Sequence, residues 1–232
     1  MFFSDIKGFT EITDQLEPEV LSTLLNSYLN EMSKIALKYG GTIDKFVGDA
    51  ILIFFGDPET KGDKEDAYSC VLMALEMQER MHHLKNLWEG QGITNPLEIR
   101  IGINTGYCNV GNFGSENRLD YTIIGGEVNL ASRLESNAMT GQILISQETY
   151  ALIKKHIVCE KKDEIKVKGI AHKIQTYQVV GSYKNIAQKG KILNEKFDGF
   201  NLNIDLNISK KNKVITSLEN TLQQLKQNEK SN

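Results

Sequence analysis

Three cysteines, three prolines and a single tryptophan are few for 232 residues. Cys70, Cys108 and Cys159 are odd in number and widely spaced. That spacing excludes a disulfide framework and a metal-ligand cluster and points to a reducing compartment. Neither charge sign dominates: 27 Lys and Arg oppose 30 Asp and Glu, a net charge of −3. The surface as a whole is therefore no magnet for nucleic acid or an anionic membrane, and only a local basic site remains open. No apolar run is long enough to span a bilayer. The start, Met1-Phe2-Phe3-Ser4, lacks the basic region and long apolar core of a signal peptide. A strand begins there with almost no lead-in, so the expectation is a fragment of a longer protein with its regulatory part upstream. A short native start is the alternative. No GxxxxGK[ST] motif occurs, which excludes a P-loop enzyme.

What is present suits a globular protein, with 40 % hydrophobic and 25 % charged residues and length for one ordinary domain plus an appendage. Phe2 to Asp5 reads as the end of a strand, and Gly8 allows a turn. Pro18 suits the first turn of a helix that carries Leu21, Leu24, Leu25, Tyr28, Leu29, Met32, Ile35 and Ala36 on one face and ends at Gly40-Gly41. The apolar runs Thr42 to Val47 and Ala50 to Phe55, joined by Gly48-Asp49, predict a hairpin. Asp63 can cap a second helix bearing Ala67, Cys70, Val71, Ala74, Leu75 and Met81, and Gly90 to Pro96 reads as a loop. Leu97, Ile99, Ile101 and Ile103 alternate with Glu98, Arg100, Gly102 and Asn104, the pattern of a half-buried strand. Strand, helix, strand, strand, helix, strand is the order of an α+β ferredoxin-like βαββαβ sandwich, with helices on one sheet face.

Further strands are expected at Tyr121 to Ile124, Ile143 to Ile145, Ile165 to Lys168 and Thr176 to Val180, and a helix at Glu127 to Ala138. The globular unit ends near Gly181, leaving 182–232 as a C-terminal extension. There Leu202, Ile204, Leu206 and Ile208 alternate as in a strand, and Val214, Leu218, Leu222 and Leu225 mark one stripe of a helix. That extension either packs on the main domain or serves a dimer or partner.

Asp5 ends the first strand and Asp49 sits in the hairpin turn, so neighbouring strands can bring both carboxylates to one edge. Such a pair suits hard cations, and Mg²⁺ completes its shell with phosphate and water oxygens. Beside Asp5, Ile6-Lys7-Gly8-Phe9-Thr10 forms a turn entering a helix, where backbone N–H groups can hold phosphate oxygens. Singly these signals are weak, because an Asp in a turn usually serves the turn itself.

Taken in order, the segments are more specific. Phe3-Ser4-Asp5-Ile6-Lys7-Gly8-Phe9-Thr10 resembles the opening motif of class III adenylyl and guanylyl cyclases, and Asp44-Lys45-Phe46-Val47-Gly48-Asp49-Ala50 resembles their second. Asp120-Tyr121-Thr122-Ile123-Ile124-Gly125, followed by Val128-Asn129-Leu130-Ala131-Ser132-Arg133, resembles the third, and Val167-Lys168-Gly169 the last. The resemblance implies that Asp5, Asp49 and the Ile6 carbonyl hold two Mg²⁺ (or Mn²⁺), and that Phe9, Thr10, Arg100 and Lys168 contact phosphates. It implies that Lys45 and Thr122 select the base, Asn129 orients the ribose and Arg133 stabilises the transition state. Arg100 has a second reading as an exposed strand charge. No histidine falls in these motifs, which agrees with a reaction that needs no side-chain base.

The implied reaction is in-line attack of the ribose 3′-oxygen of ATP on the α-phosphorus, giving cyclic AMP and pyrophosphate. The resemblance also implies a head-to-tail homodimer. One copy supplies Asp5, Asp49 and Arg100, the other Lys45, Thr122, Asn129, Arg133 and Lys168. Guanylyl cyclases typically carry an acidic residue where Lys45 stands, which favours ATP over GTP. Thr at 122 resembles the subgroup that responds to bicarbonate, although the sequence itself shows no bicarbonate site. A guanylyl cyclase is the nearest alternative. An inactive regulatory module is another, but such a domain is expected to have lost Asp5, Asp49, Asn129 or Arg133. The expected location is cytoplasmic.

Overall fold

Local sequence signals set most element ends. A computed structural model describes residues 1–14, 16–90, 97–167, 173–183, 192–197, 200–205 and 211–229. The chain runs β1 (Phe2–Ile6), α1 (Phe9–Thr13), α2 (Pro18–Tyr39), β2 (Thr42–Val47), β3 (Ala50–Phe54), α3 (Asp63–Gly90) and β4 (Ile99–Ile103). It continues through β5 (Asn109–Ser115), β6 (Arg118–Ile124), α4 (Gly126–Asn137), β7 (Ile143–Ser146), α5 (Gln147–Ile153), β8 (Ile157–Lys161) and β9 (Thr176–Ser182). Pro18 opens α2 where its missing N–H costs nothing, and the Gly40 N–H closes it on the Ala36 and Leu37 carbonyls. Asp63 is the first residue of α3 rather than its cap. The Asp66 carboxylate instead accepts from the Lys61 N–H and the Thr60 hydroxyl, and acidic groups crowd the positive end of the helix dipole.

Seven strands form one sheet in the order β2-β3-β1-β4-β7-β9-β8. The first four are antiparallel neighbours, the arrangement of a ferredoxin-like βαββαβ core. β7 adds parallel to β4 after a crossover, and β9 and β8 follow antiparallel.

One sheet face carries the main core. Phe2 and Ile6, Ile51 and Ile53, and Ile99, Ile101 and Ile103 meet Tyr28, Met32 and Ile35 of α2 and Met73 and Met77 of α3. Each such large apolar side chain contributes roughly 1.5–3 kcal/mol when fully buried. The two helices of the βαββαβ core, α2 and α3, lie on one sheet face as expected, and α4, which follows that core, covers the other face. There Leu130 and Leu134 meet Leu144, while Val128 and Ile123 meet Leu52 and Phe54. Gly102 makes this possible: a Cβ added there would lie 2.1 Å from the Glu135 nitrogen and 2.3 Å from the Ala131 carbonyl oxygen.

β5 and β6 form a separate hairpin, of which only Tyr121 to Ile124 is expected from the apolar pattern. Ile165 makes a single bridge to Ile174 rather than a full strand, and Lys168, at the end of that expected strand, lies outside the described residues.

The chain divides into two compact units, Met1–Ser182 and Tyr183–Asn232. In the second, β10 (Ile192–Phe197) and β11 (Phe200–Asp205) pair antiparallel, and α6 (Lys211–Glu229) follows. The alternation at Leu202 and Ile204 lies in β11, whereas Leu206 and Ile208 lie outside the described residues. Leu218 and Leu222 of the α6 stripe are exposed. Among the described residues no helix is long and apolar enough to cross a membrane.

Candidate active site

The β2–β3 hairpin closes at the Val47–Ala50 pair, leaving Gly48 and Asp49 as its loop. Gly48 takes φ +64°, a left-handed conformation that side-chain-bearing residues avoid. β1 pairs with β3 only as far as Ser4, so Asp5 and Ile6 run past the end of β3, where the loop folds over them. Asp49 Oδ2 accepts the Ile6 N–H at 2.9 Å. On its other side β1 continues beside β4, with Asp5 directly opposite Arg100.

Arg100 is no exposed strand charge. Its Nη2 lies 3.0 Å from Asp5 Oδ2, its Nη1 donates to the Ser136 carbonyl at 3.2 Å, and its side chain is four-fifths buried. Its Nε approaches Glu135 Oε1 to 2.6 Å, an ion-pair distance without hydrogen-bond alignment. Burial raises the Glu135 carboxyl above its ordinary range, Arg100 opposes the rise and Asp5 adds to it. Burial likewise pushes Asp49 up to about 6; the Ile6 N–H opposes this and the negative charge of Asp5 adds to it. Beneath lie Tyr28 and Ser4, both buried, with Oη and Oγ 3.4 Å apart, and burial drives the Tyr28 hydroxyl far above its usual range.

One guanidinium therefore serves a cluster with three carboxylates, and the cluster is short of positive charge. Among the described residues no group of three or more His, Cys, Asp or Glu side chains could hold a metal by itself. The donor set, two carboxylates with a backbone carbonyl at Ile6, is all hard oxygen and leaves positions for phosphate and water. That fits Mg²⁺ or Mn²⁺ and does not fit soft metals.

A second cluster forms around the hairpin's first strand. The β2–β3 register shifts between Ile43 and Lys45, so Asp44 is the extra residue of a bulge. Its side chain is wholly buried. Oδ2 accepts from the Thr122 hydroxyl at 2.7 Å and the Ile123 N–H at 3.1 Å. Oδ1 lies 3.3 Å from Lys45 Nζ. The structure thus brings Lys45 and Thr122, 77 positions apart in the sequence, to one carboxylate.

Asn129 and Arg133 stand one turn apart on the exposed face of α4. Among the described residues the Arg133 guanidinium meets no acceptor. Phe9 and Thr10 open α1; Phe9 packs against the main core and Thr10 is exposed. The remaining expected phosphate contact, Lys168, falls outside the described residues. His82 and His83 are exposed on α3, and the His156 ring rests against Tyr68. Sequence reasoning missed Asp44 and Glu135. Asp44 had a signal, a carboxylate immediately before Lys45. Glu135 had one too, since it falls on the apolar stripe of α4 between Ala131 and Ala138.

The family model for the adenylate and guanylate cyclase catalytic domain matches residues 1–181. The crystal structure of the adenylyl cyclase CyaB from P. aeruginosa is 63 % identical with a TM-score of 0.77, over 79 % of this chain and 93 % of that one. A terminal-differentiation-specific adenylate cyclase of Dictyostelium discoideum is 35 % identical over 185 residues, 78 % of this chain and 8 % of that protein. An adenylate cyclase of Anabaena cylindrica is 30 % identical over 190 residues, 77 % of this chain and 36 % of that protein. The chain therefore spans only a minor part of the length of these two relatives.

Proposed function

Because the chain belongs to the adenylate and guanylate cyclase catalytic domain family, we propose that it is an adenylyl cyclase converting ATP to 3′,5′-cyclic AMP and pyrophosphate at sites shared between two copies. The observation that carries the reading is the convergence of Asp5, Asp49 and Arg100 at one end of the adjacent strands β3, β1 and β4, with Lys45 and Thr122 gathered separately. Residues 1–181 form the catalytic domain in this proposal and 182–232 an extension. The closeness of the chain to an adenylyl cyclase structure and the lysine at position 45 both favour ATP.

Asp5, Asp49 and the Ile6 carbonyl would hold two Mg²⁺ or Mn²⁺, which supply a lowered pKa for the ribose 3′-hydroxyl and neutralisation of phosphate charge. The protein's own part is positioning and charge. Backbone N–H groups at Phe9 and Thr10 hold phosphate oxygens. Arg100, steadied by Asp5 and Glu135, stands beside them, and Lys168 of the other copy adds a cation. From that same copy Asn129 orients the ribose, and the Arg133 guanidinium forks two donors toward the reacting phosphate. Lys45 donates to adenine N1 while Thr122 accepts from the exocyclic amine.

The shared site draws support from what one copy leaves uncovered. Phe46, Val47, Leu119, Tyr121 and Ile124 are exposed on the hairpins that carry Lys45 and Thr122. A two-fold pairing that buries them would yield two equivalent sites. A regulatory segment elsewhere in the polypeptide and a cytoplasmic location complete the proposal.

The test offers ATP and GTP separately, with Mg²⁺ or Mn²⁺, across a range of protein concentrations. Expected are cyclic AMP from ATP, a kcat/KM at least roughly tenfold above that for GTP, and specific activity that rises with protein concentration. No cyclic nucleotide from either substrate at high protein concentration would defeat the reading.

A further inference from the structure

The structure assigns to Asp44 a role in base selection: we propose that its buried carboxylate sets the hydrogen-bond polarity of Thr122 and Lys45 and so admits a purine with adenine's edge. This rests on the adenylyl cyclase reading above and names a residue that reading does not use. A threonine hydroxyl has one proton and two lone pairs, and its rotation normally lets it donate or accept as the ligand demands. Here the proton is committed. The Thr122 hydroxyl donates to Asp44 Oδ2 at 2.7 Å, and an ionised carboxylate can only accept. Thr122 is 6 % exposed, so what it shows a ligand is lone-pair density. The same oxygen takes the Ile123 N–H at 3.1 Å, which keeps the carboxylate from rotating away.

The second oxygen completes the arrangement. Asp44 Oδ1 is buried without a hydrogen bond, and Lys45 Nζ lies 3.3 Å from it. A wholly buried, half-satisfied carboxylate is costly, so the ammonium is held near it. One side chain thereby presents a donor at Lys45 and an acceptor at Thr122. Adenine offers the complement, an acceptor at N1 and a donor at its exocyclic amine. Hypoxanthine and guanine offer the reverse, a donor at N1 and an acceptor at the six position. The bulge at Asp44 is what aims this carboxylate between β2 and β6.

The test compares kcat/KM for ATP and ITP in the full chain, because hypoxanthine reverses the polarity without adding the 2-amino group. Asp44→Ala frees the Thr122 hydroxyl to donate, and the ATP/ITP ratio should fall roughly tenfold or more, mainly through a higher KM for ATP, with kcat falling less. Asp44→Asn keeps an acceptor oxygen for Thr122, so its ratio should lie between those of wild type and Asp44→Ala, and it serves if Asp44→Ala does not fold. Thr122→Val should lower the ratio alone, and adding Asp44→Ala to it should lower the ratio by less than Asp44→Ala does in wild type, because only the Lys45 arm is then left to lose. An unchanged ratio in folded Asp44→Ala or Asp44→Asn overturns the proposal, as do effects of Asp44→Ala and Thr122→Val that multiply. Wild-type protein that forms no cyclic AMP overturns the adenylyl cyclase reading instead.

Discussion

A carboxylate placed beside another carboxylate and half-shielded from water holds its proton, and Asp49 is in that position. Burial, then the charge of Asp5, push it up to about 6 despite the Ile6 N–H. Its folded value lies above the unfolded one, so the folded chain binds the proton more tightly. The contribution of Asp49 to the stability of the metal-free protein, read as the difference between wild type and Asp49→Ala, should therefore fall as pH rises from about 4 to about 6 and level off above. Cations compete with that proton, so the half-saturating free Mn²⁺ in the ATP reaction should rise roughly tenfold per pH unit below about 6. Asp49→Ala should lower turnover by about a hundredfold or more while leaving dimerisation intact. Retained turnover would remove Asp49 from the metal site. The candidate roles of Asp5 and Asp49 were legible because a strand end and a hairpin turn are local features. The proton affinity was not, because it depends on their meeting.

Within the fold, α4 is the element on which most of the proposed chemistry depends. It carries Asn129 and Arg133 outward and Glu135 inward, and it can do so because β4 offers Gly102 where the two backbones meet. Gly102→Ala sets a Cβ against backbone atoms that no rotamer change can move. We expect destabilisation at or above the usual overpacking range, about 1–3 kcal/mol, read from urea unfolding, together with loss of cyclic AMP formation as Asn129 and Arg133 shift. A stable, fully active Gly102→Ala protein would show that α4 tolerates displacement. The ends of α4, Gly126 and Asn137, lie one residue from those expected, since its stripe of Val128, Leu130, Leu134 and Ala138 is periodic. Which sheet face it covers carries no such periodic mark. β5 escaped reading because Gly111 and Gly114 interrupt it, and glycine argues against a strand until a partner is in view.

At the scale of the assembly, Lys45 and Asp49 share one hairpin yet belong to different sites in the proposed dimer. Asp5→Ala and Arg133→Ala should each be inactive as homodimers. Mixed equally and allowed to exchange, they should recover at most about a quarter of wild-type activity, since half the dimers are mixed and each keeps one of two sites intact. No recovery in the presence of demonstrated heterodimers would count against the shared site.

Sequence alone determined which segments are strands and helices over most of residues 1–181, where the hairpin turns, and which chemistry-bearing residues the chain owns. These follow from periodicity, from Pro and Gly at element ends, and from motifs in a fixed order, all of them short-range. Tertiary structure decided the pairings. Arg100 reaches Asp5 across 95 residues because two strands align in one register, and Thr122 reaches Asp44 across 78 because a bulge turns that carboxylate toward another hairpin. Register, bulge and sheet face are properties of two segments at once, so neither segment carries them by itself.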